Sequence, residues 1–196
     1  MIEPVTSLDE KIERLKRNKS VLPQSFIPNM FLAHLKGLEN FAGKKVLEIG
    51  GREKLNLASF FSNQNTDYTN IRLEGNSSEP NQVIVGNFMN YPLDNYDLII
   101  SSGVFEPGAI DKMAGVIFRD QLPLPNDYYL ARLNTLTNPG GLNIHATSSD
   151  NCIFSNKEIN RSGFGLQYRN GPFFNFYSEK LAYGDFSELV VMRKSE

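Results

Sequence analysis

Residues 45–51, Lys45-Val46-Leu47-Glu48-Ile49-Gly50-Gly51, decide the fold class of this chain. The first five residues are a short, β-prone run, and the glycine pair ends it. Apolar residues at helical spacing follow directly, within residues 55–61. The stretch therefore predicts a strand, a glycine turn and a helix, which is the first unit of a chain that alternates strands and helices.

The same alternation continues to the end of the chain. Further strands are predicted at residues 68–73, 82–85, 96–101, 142–146, from 163 onward and at 188–192. Helices are predicted at residues 7–18, 28–40 and 126–137, and a short one follows Ser155, which forms a capping box with Glu158. The strand at 96–101 is almost continuously apolar, as strands buried on both faces are. We therefore expect an α/β protein with an open, mostly parallel sheet and helices on both faces.

One predicted connection is short for this architecture. Residues 74–82 lead from the second predicted strand to the third, whereas a crossover between parallel strands normally takes a dozen or more residues. Either one of these two strands is shifted, or the crossover is an extended loop.

The composition limits the class of protein and its partners. The chain has 196 residues, of which 40% are hydrophobic, and a formal net charge of -2. This predicts one compact domain and argues against nucleic acid or an anionic membrane as a partner. The single Cys152 excludes an internal disulfide, and no His, Asp or Glu cluster has metal-ligand spacing. The absence of such a cluster predicts a protein without a metal. The N-terminus lacks a secretory signal and no apolar run is long enough to span a bilayer, so we expect a cytoplasmic protein.

The turn after the first strand is the first candidate for a binding site. In open α/β sheets, ligands bind beyond the carboxyl ends of the strands, where the strand order reverses. Gly50 and Gly51 leave the main chain there without side chains, so that a ligand can approach it closely. The alternative is that the glycines only form a tight turn. The turn lacks the G-x-G-x-x-G pattern, which makes a dinucleotide or nucleotide-sugar enzyme the weaker alternative.

An ordered set of segments carries a resemblance to a known family. The segments are VLEIGG (46–51), YTNIRLE (68–74), VIVGNF (83–88), YDLIISSGVFE (96–106), LTNPGGL (136–142), FSNKEINRSGFGLQYR (154–169) and SELVVMRKSE (187–196). In order and spacing they resemble the successive motifs of class I S-adenosylmethionine-dependent methyltransferases. The resemblance covers about residues 43–194. It implies a Rossmann-like, seven-stranded sheet whose last strand is antiparallel, with S-adenosylmethionine bound across the strand ends. Residues 1–42 would then be an N-terminal helical extension or lid, and residues 43–196 the methyltransferase-like domain.

The resemblance also implies roles at the ends of the first two strands. Glu48 and the turn at Gly50 and Gly51 match the motif that holds the amino-acid part of the cofactor. At the end of the second strand the family usually places an acid that binds both ribose hydroxyls. Arg72 stands at that position, so Glu74, two residues further on, is the substitute candidate.

Roles at the next two strands follow in the same way. Asn87 matches the position where an acid accepts a hydrogen bond from the adenine amino group, and its amide oxygen can accept in the same way. The resemblance lets Phe88 stack on the adenine, and Ser101 and Ser102 close the fourth strand near the sulfonium.

The resemblance implies methyl transfer to a small organic acceptor, achieved by positioning the reactants in the cleft at the strand ends. His145, near the end of the fifth strand, is the candidate catalytic base, and the alternative is a packed or hydrogen-bonded histidine. The departures at Arg72 and Asn87 support a second hypothesis. In it, the chain is a catalytically inactive, methyltransferase-like binding or scaffold protein that has lost the cofactor.

Overall fold

The computed structural model of this protein describes residues 41–51, 58, 61, 65–73, 82–105, 110, 124–147, 152–170 and 188–196. The strands in this part of the chain are β1 (Lys45–Ile49), β2 (Asp67–Arg72), β3 (Gln82–Val85), β4 (Tyr96–Ser102), β5 (Thr137–Thr147), β6 (Phe164–Asn170) and β7 (Glu188–Lys194). The helices with described bounds are α1 (Asn126–Leu136) and α2 (Asn156–Arg161).

The strands form one seven-stranded sheet in the order β3-β2-β1-β4-β5-β7-β6. Strands β1 to β5 run parallel to one another, whereas β7 is antiparallel to both β5 and β6. The predicted α/β fold with an antiparallel last strand is therefore confirmed. Because the order of the strands reverses between β1 and β4, the ends of these two strands flank the crevice where ligands bind in such sheets.

Both faces of the sheet are buried, because successive side chains of a strand point to opposite faces. Leu47 of β1 packs in a cluster that includes Leu130 and Leu133 of α1. Val46, its neighbour in the chain, packs in a second cluster with Ala58 and Phe61, which are both helical. Helices therefore cover the sheet on both faces, as the alternating pattern predicts.

The structure confirms that the connection between β2 and β3 is short. The strand predicted at residues 68–73 is shifted by one residue, and β3 begins and ends where it is predicted. The two strands pair in parallel with only the nine residues 73–81 between them. The crossover is therefore shorter than usual, and a shifted strand does not explain its length.

The start of β5 differs from the sequence prediction. The prediction has a turn at residues 138–141 and a strand from 142, but β5 already begins at Thr137. Its register against β4 jumps from Tyr96 opposite Thr137 to Leu98 opposite Leu142, so the extra residues form a bulge. The glycines that predict a turn thus lie within β5 and do not end it.

Two predicted features fall outside the described residues. These are the N-terminal helical extension, of which the structure describes only Phe41 and Ala42, and Glu74 after β2. The ring of Phe41 packs edge-on against Phe61, with 6.0 Å between the ring centroids. Among the described helices, none has the length and apolar character that a membrane crossing requires.

Candidate functional site

The candidate site lies along the edge of the sheet where the parallel strands end. Gly50 follows β1, and its backbone N–H donates to the carbonyl oxygen of Ile71 in β2 over 2.7 Å. Gly86 follows β3, and its N–H donates to the carbonyl oxygen of Arg72 over 2.9 Å. These hydrogen bonds tie the ends of three neighbouring strands into one continuous edge.

Gly50 is required by the geometry of its turn. Its backbone φ is +79°, a conformation that residues with a side chain rarely adopt. A Cβ atom at this position would lie 2.6 Å from Cγ2 of Val104, in the segment after β4. The space beside Gly50 is therefore filled by a side chain of the protein, which supports the alternative that this glycine serves the turn itself.

Gly51 lies against two polar side chains, Glu48 of β1 and Asn70 of β2, which are paired in register. A Cβ atom on Gly51 would lie 2.6 Å from Oε1 of Glu48 and 2.8 Å from Nδ2 of Asn70. Asn70 Nδ2 donates to the carbonyl oxygen of Gly51 over 3.0 Å, and the Tyr68 hydroxyl donates to the Glu48 carboxylate. The Tyr68 ring in turn stacks on Phe61. The predicted residues Glu48 and Gly51 are thus brought together and held by their neighbours.

Asn70 is a site residue that the sequence analysis missed. Its side chain is buried, and Oδ1 has no hydrogen-bond partner among the residues that the structure describes. A buried acceptor without a partner costs about 1–3 kcal/mol, so such an atom marks a position where water or a ligand supplies a donor. The available sequence signal was a polar residue in the interior of β2, and it was weak because Thr69 and Arg72 of the same strand are polar too.

Arg72 ends β2 and is only 7% exposed. It brings a positive charge to the position where the family resemblance implies a carboxylate. A guanidinium has no acceptor atoms, so Arg72 does not accept hydrogen bonds from ribose hydroxyls. The substitute, Glu74, lies outside the described residues, and its role stays a prediction.

The chain forms a tight turn after β3, at residues 86–91. The backbone N–H groups of Asn90 and Tyr91 donate to the carbonyl oxygen of Asn87 over 3.2 and 2.9 Å. Asn87 also accepts from the backbone N–H of Met89 through its side-chain Oδ1, over 3.0 Å. Its Nδ2 is buried and lacks a hydrogen-bond partner within the described ranges.

Arg132 of α1 holds this turn from outside. Its Nε donates to the carbonyl oxygen of Phe88 over 2.9 Å, and a second guanidinium nitrogen donates to that of Tyr91 over 2.6 Å. The Phe88 ring is 3% exposed and packs edge-on against Phe105, with 5.7 Å between the ring centroids. Phe88 therefore anchors the turn in the core, and its stacking on an adenine stays a prediction that this burial does not favour.

His145 and Ser101 form a buried pair on neighbouring strands. Ser101 Oγ and His145 Nδ1 are 2.8 Å apart, and the His145 ring packs edge-on against Phe105 at 4.8 Å between centroids. Burial lowers the pKa of His145 to about 3, so the imidazole is neutral at physiological pH. A base with so low a pKa gains little from taking a proton near neutrality, which supports the packed alternative. Ser102, the other predicted serine, is the last residue of β4.

The described part of the chain contains no group of three or more His, Cys, Asp and Glu residues that could hold a metal ion. Burial raises the pKa of the Cys152 thiol to about 12. The thiol is therefore protonated at neutral pH and is a poor nucleophile.

The strand order and the antiparallel β7 are those of the Rossmann-like fold of class I S-adenosylmethionine-dependent methyltransferases. Among solved structures, a methyltransferase from Mesorhizobium loti matches with a TM-score of 0.56 at 11% identity, covering 80% of this chain and 94% of the other. The N-methyltransferase NodS from Bradyrhizobium japonicum matches with a TM-score of 0.56 at 13% identity, covering 91% and 99%. A Burkholderia thailandensis 1,6-didemethyltoxoflavin-N1-methyltransferase matches with a TM-score of 0.55 at 14% identity, covering 98% and 85%. In sequence comparisons, no family model and no curated protein matches the chain.

Proposed function

We propose that this protein transfers a methyl group from S-adenosylmethionine to a small organic acceptor. The observation that carries the proposal is a pair of buried side-chain atoms without hydrogen-bond partners among the described residues, Asn70 Oδ1 and Asn87 Nδ2. Both lie at the carboxyl edge of the sheet, one near the turn after β1 and one after β3. An acceptor and a donor along one edge fit a polar ligand that extends across the strand ends.

The residues around Gly51 fit the amino-acid part of this cofactor. Its ammonium group needs acceptors, and the Glu48 carboxylate and Asn70 Oδ1 are acceptors beside the turn. Asn70 Nδ2 orients the Gly51 carbonyl, and Tyr68 orients Glu48, so the acceptors are in place before a ligand binds. S-adenosylmethionine supplies an activated methyl group on a sulfonium, and the role of these residues is to bind and orient its carrier.

Methyl transfer of this kind requires positioning more than acid-base chemistry. Ser101 and His145 are both almost fully buried, and His145 stays neutral. We assign this pair to fixing the ends of β4 and β5, so that His145 is not required as a base. The nearby Ser102 remains the candidate next to the reacting centre.

A small acceptor is the class of substrate that the charge balance favours. The net charge of -2 gives no strong field for nucleic acid. One structural neighbour was solved with 1,6-didemethyltoxoflavin and S-adenosylhomocysteine bound, which is a small-molecule acceptor with the demethylated cofactor. This likeness supports a small acceptor for the present chain without naming it.

The second candidate is a catalytically inactive, methyltransferase-like binding or scaffold protein. Two observations favour it. Arg72 stands where a carboxylate would bind the ribose, and the side chain of Val104 fills the space beside Gly50. The two candidates differ in whether the cofactor binds at all.

Calorimetry with S-adenosylmethionine and S-adenosylhomocysteine decides between the two candidates. We expect both ligands to bind. We expect Glu48→Gln to lower the affinity for S-adenosylmethionine by about tenfold, because a charged hydrogen bond to the ammonium is lost. Glu158→Gln is the matched control, since Glu158 caps α2 and accepts a hydrogen bond from Asn126 of α1, neither of which involves Glu48. Absence of heat at millimolar ligand would remove the enzyme and leave the scaffold. Equal binding by both variants would move the ammonium site away from Glu48.

A further inference from the structure

The Asn87 side chain is oriented by its own turn. The backbone N–H of Met89 donates to Asn87 Oδ1, so the oxygen end of the amide points toward Met89. The opposite end, Nδ2, carries two hydrogens and is buried without a hydrogen-bond partner in the described part of the chain. Asn87 therefore keeps an uncommitted donor at the carboxyl edge of β3.

The position of this donor is preorganised. Two carbonyl oxygens of the turn, those of Phe88 and Tyr91, are held by the guanidinium of Arg132 from α1. On the other side the Tyr91 ring covers Gly86, where a Cβ atom would lie 2.8 Å from the ring. The turn thus presents Asn87 in one orientation, and reversing the amide would place its nitrogen against the Met89 N–H.

An uncommitted donor selects the kind of ligand atom that approaches it. In a purine, the ring nitrogens accept hydrogen bonds, whereas the exocyclic amine of adenine donates them. The exocyclic amine and Asn87 Nδ2 are both donors, so they would not form a hydrogen bond with each other. A ring nitrogen would supply the acceptor that this buried N–H lacks among the described residues.

We propose that Asn87 Nδ2 donates to a ring nitrogen of the bound purine. The exocyclic amine is then not the group that Asn87 recognises, and the expected contact between that amine and the Asn87 amide oxygen is not made. This inference rests on the proposed function, because it assumes that the nucleoside of the cofactor lies along the edge after β3. It assigns to Asn87 the recognition of the base by an acceptor atom.

The first test compares the affinity of S-adenosylhomocysteine for the full chain and two variants, measured by calorimetry. Asn87→Asp keeps an oxygen for the Met89 N–H and replaces the donor by an acceptor. We expect it to bind at least about tenfold more weakly, because two acceptors then face each other. Asn90→Asp adds the same charge to the same turn at an exposed position, and we expect it to bind within about twofold of the unmodified protein.

The second test needs no substitution and therefore does not depend on a variant that folds. The unmodified protein is titrated with S-adenosylhomocysteine analogues in which one ring nitrogen, N1, N3 or N7, is replaced by CH. We expect one of these analogues to lose about tenfold in affinity, and the same replacement to cost nothing further in Asn87→Asp.

Three outcomes separate the hypotheses. In the first outcome, Asn87→Asp binds S-adenosylhomocysteine as tightly as the unmodified protein does, or more tightly. This result would overturn the donor role of Asn87 and would leave the proposed function unaffected. Equal affinity of the unmodified protein for all three analogues would overturn it as well. No binding of any ligand by the unmodified protein would overturn the proposed function, and the inference would fall with it.

Discussion

Gly51 shows how a single missing side chain organises the turn after β1. Glu48 and Asn70 occupy the space that a Cβ atom would need, with contacts of 2.6 and 2.8 Å. These two side chains are also the acceptors that the proposed function assigns to the ammonium group. The close packing at Gly51 is therefore a requirement of the site as much as of the fold.

We expect Gly51→Ala to lower the free energy of unfolding by about 1–3 kcal/mol, because Glu48 and Asn70 must move to make room. We expect the same movement to lower the affinity for S-adenosylhomocysteine, which calorimetry measures. Gly165→Ala is the matched control, because a Cβ atom there meets its nearest neighbour at 3.6 Å. Urea unfolding measures both variants, and equal stability of the two would contradict the packing at Gly51.

His145 makes stability depend on pH in a direction that follows from its burial. In the unfolded chain the imidazole takes a proton below its ordinary pKa of 6.5, whereas in the folded protein burial lowers its pKa to about 3. Between these values the unfolded state binds more protons. The free energy of unfolding is therefore highest above pH 6.5 and falls as the pH drops toward 3.

We expect the free energy of unfolding to fall as the pH is lowered from about 6 to about 4, and to fall more steeply in the unmodified protein than in His145→Gln. The expected difference between the two slopes is on the order of 1 kcal/mol per pH unit. Urea unfolding at several pH values measures both slopes. Carboxylates and His34 are common to the two proteins, so their contributions cancel in the difference. Parallel slopes would mean that His145 becomes protonated in the folded state.

At the scale of the elements, α1 and the turn after β3 form one unit. Arg132 of α1 donates to carbonyl oxygens at Phe88 and Tyr91, which lie 44 and 41 residues earlier in the chain. The helix therefore determines the geometry of the turn that carries Asn87.

We expect Arg132→Met to accelerate hydrogen exchange at the amides of Asn90 and Tyr91, whose N–H groups close the turn. The expected loss in the free energy of unfolding is about 1–2 kcal/mol, because a part-buried and an exposed hydrogen bond from a charged donor are lost. Arg132→Lys should restore part of the protection. Arg193→Met serves as the control, because Arg193 donates to Gly140 at the opposite edge of the sheet. An unchanged hydrogen-exchange rate at the Asn90 amide in Arg132→Met would show that the turn is stable without Arg132.

The same elements show what the sequence could predict. Local patterns were sufficient for β1 and β3, whose bounds are as predicted, and for the capping box of Ser155 and Glu158. They failed at residues 138–141, because only the pairing with β4 distinguishes a bulge within a strand from a turn. They also missed Arg132 and Asn70, whose roles depend on groups that are distant in sequence. The orientation of the Asn87 amide likewise depends on a folded turn and has no sequence signal.

At the scale of the whole molecule, one sheet joins two cores. Leu47 is fully buried in the cluster with α1, and Leu98 is fully buried in the cluster on the opposite face. The two leucines lie on the adjacent strands β1 and β4, which also flank the candidate site. A loss of packing on either face therefore weakens the same pair of strands.

We expect Leu47→Ala and Leu98→Ala each to lower the free energy of unfolding by about 2–5 kcal/mol, because each leaves a cavity in a closely packed core. We also expect each variant to unfold in one transition, because neither core retains a sheet when β1 and β4 separate. The chain has no tryptophan, so tyrosine fluorescence and far-ultraviolet circular dichroism are the two probes of urea unfolding. Tyr129 lies in one core and Tyr68 in the other, so the fluorescence reports on both. Two separate transitions in either variant would mean that the two faces fold independently and that the sheet does not couple them.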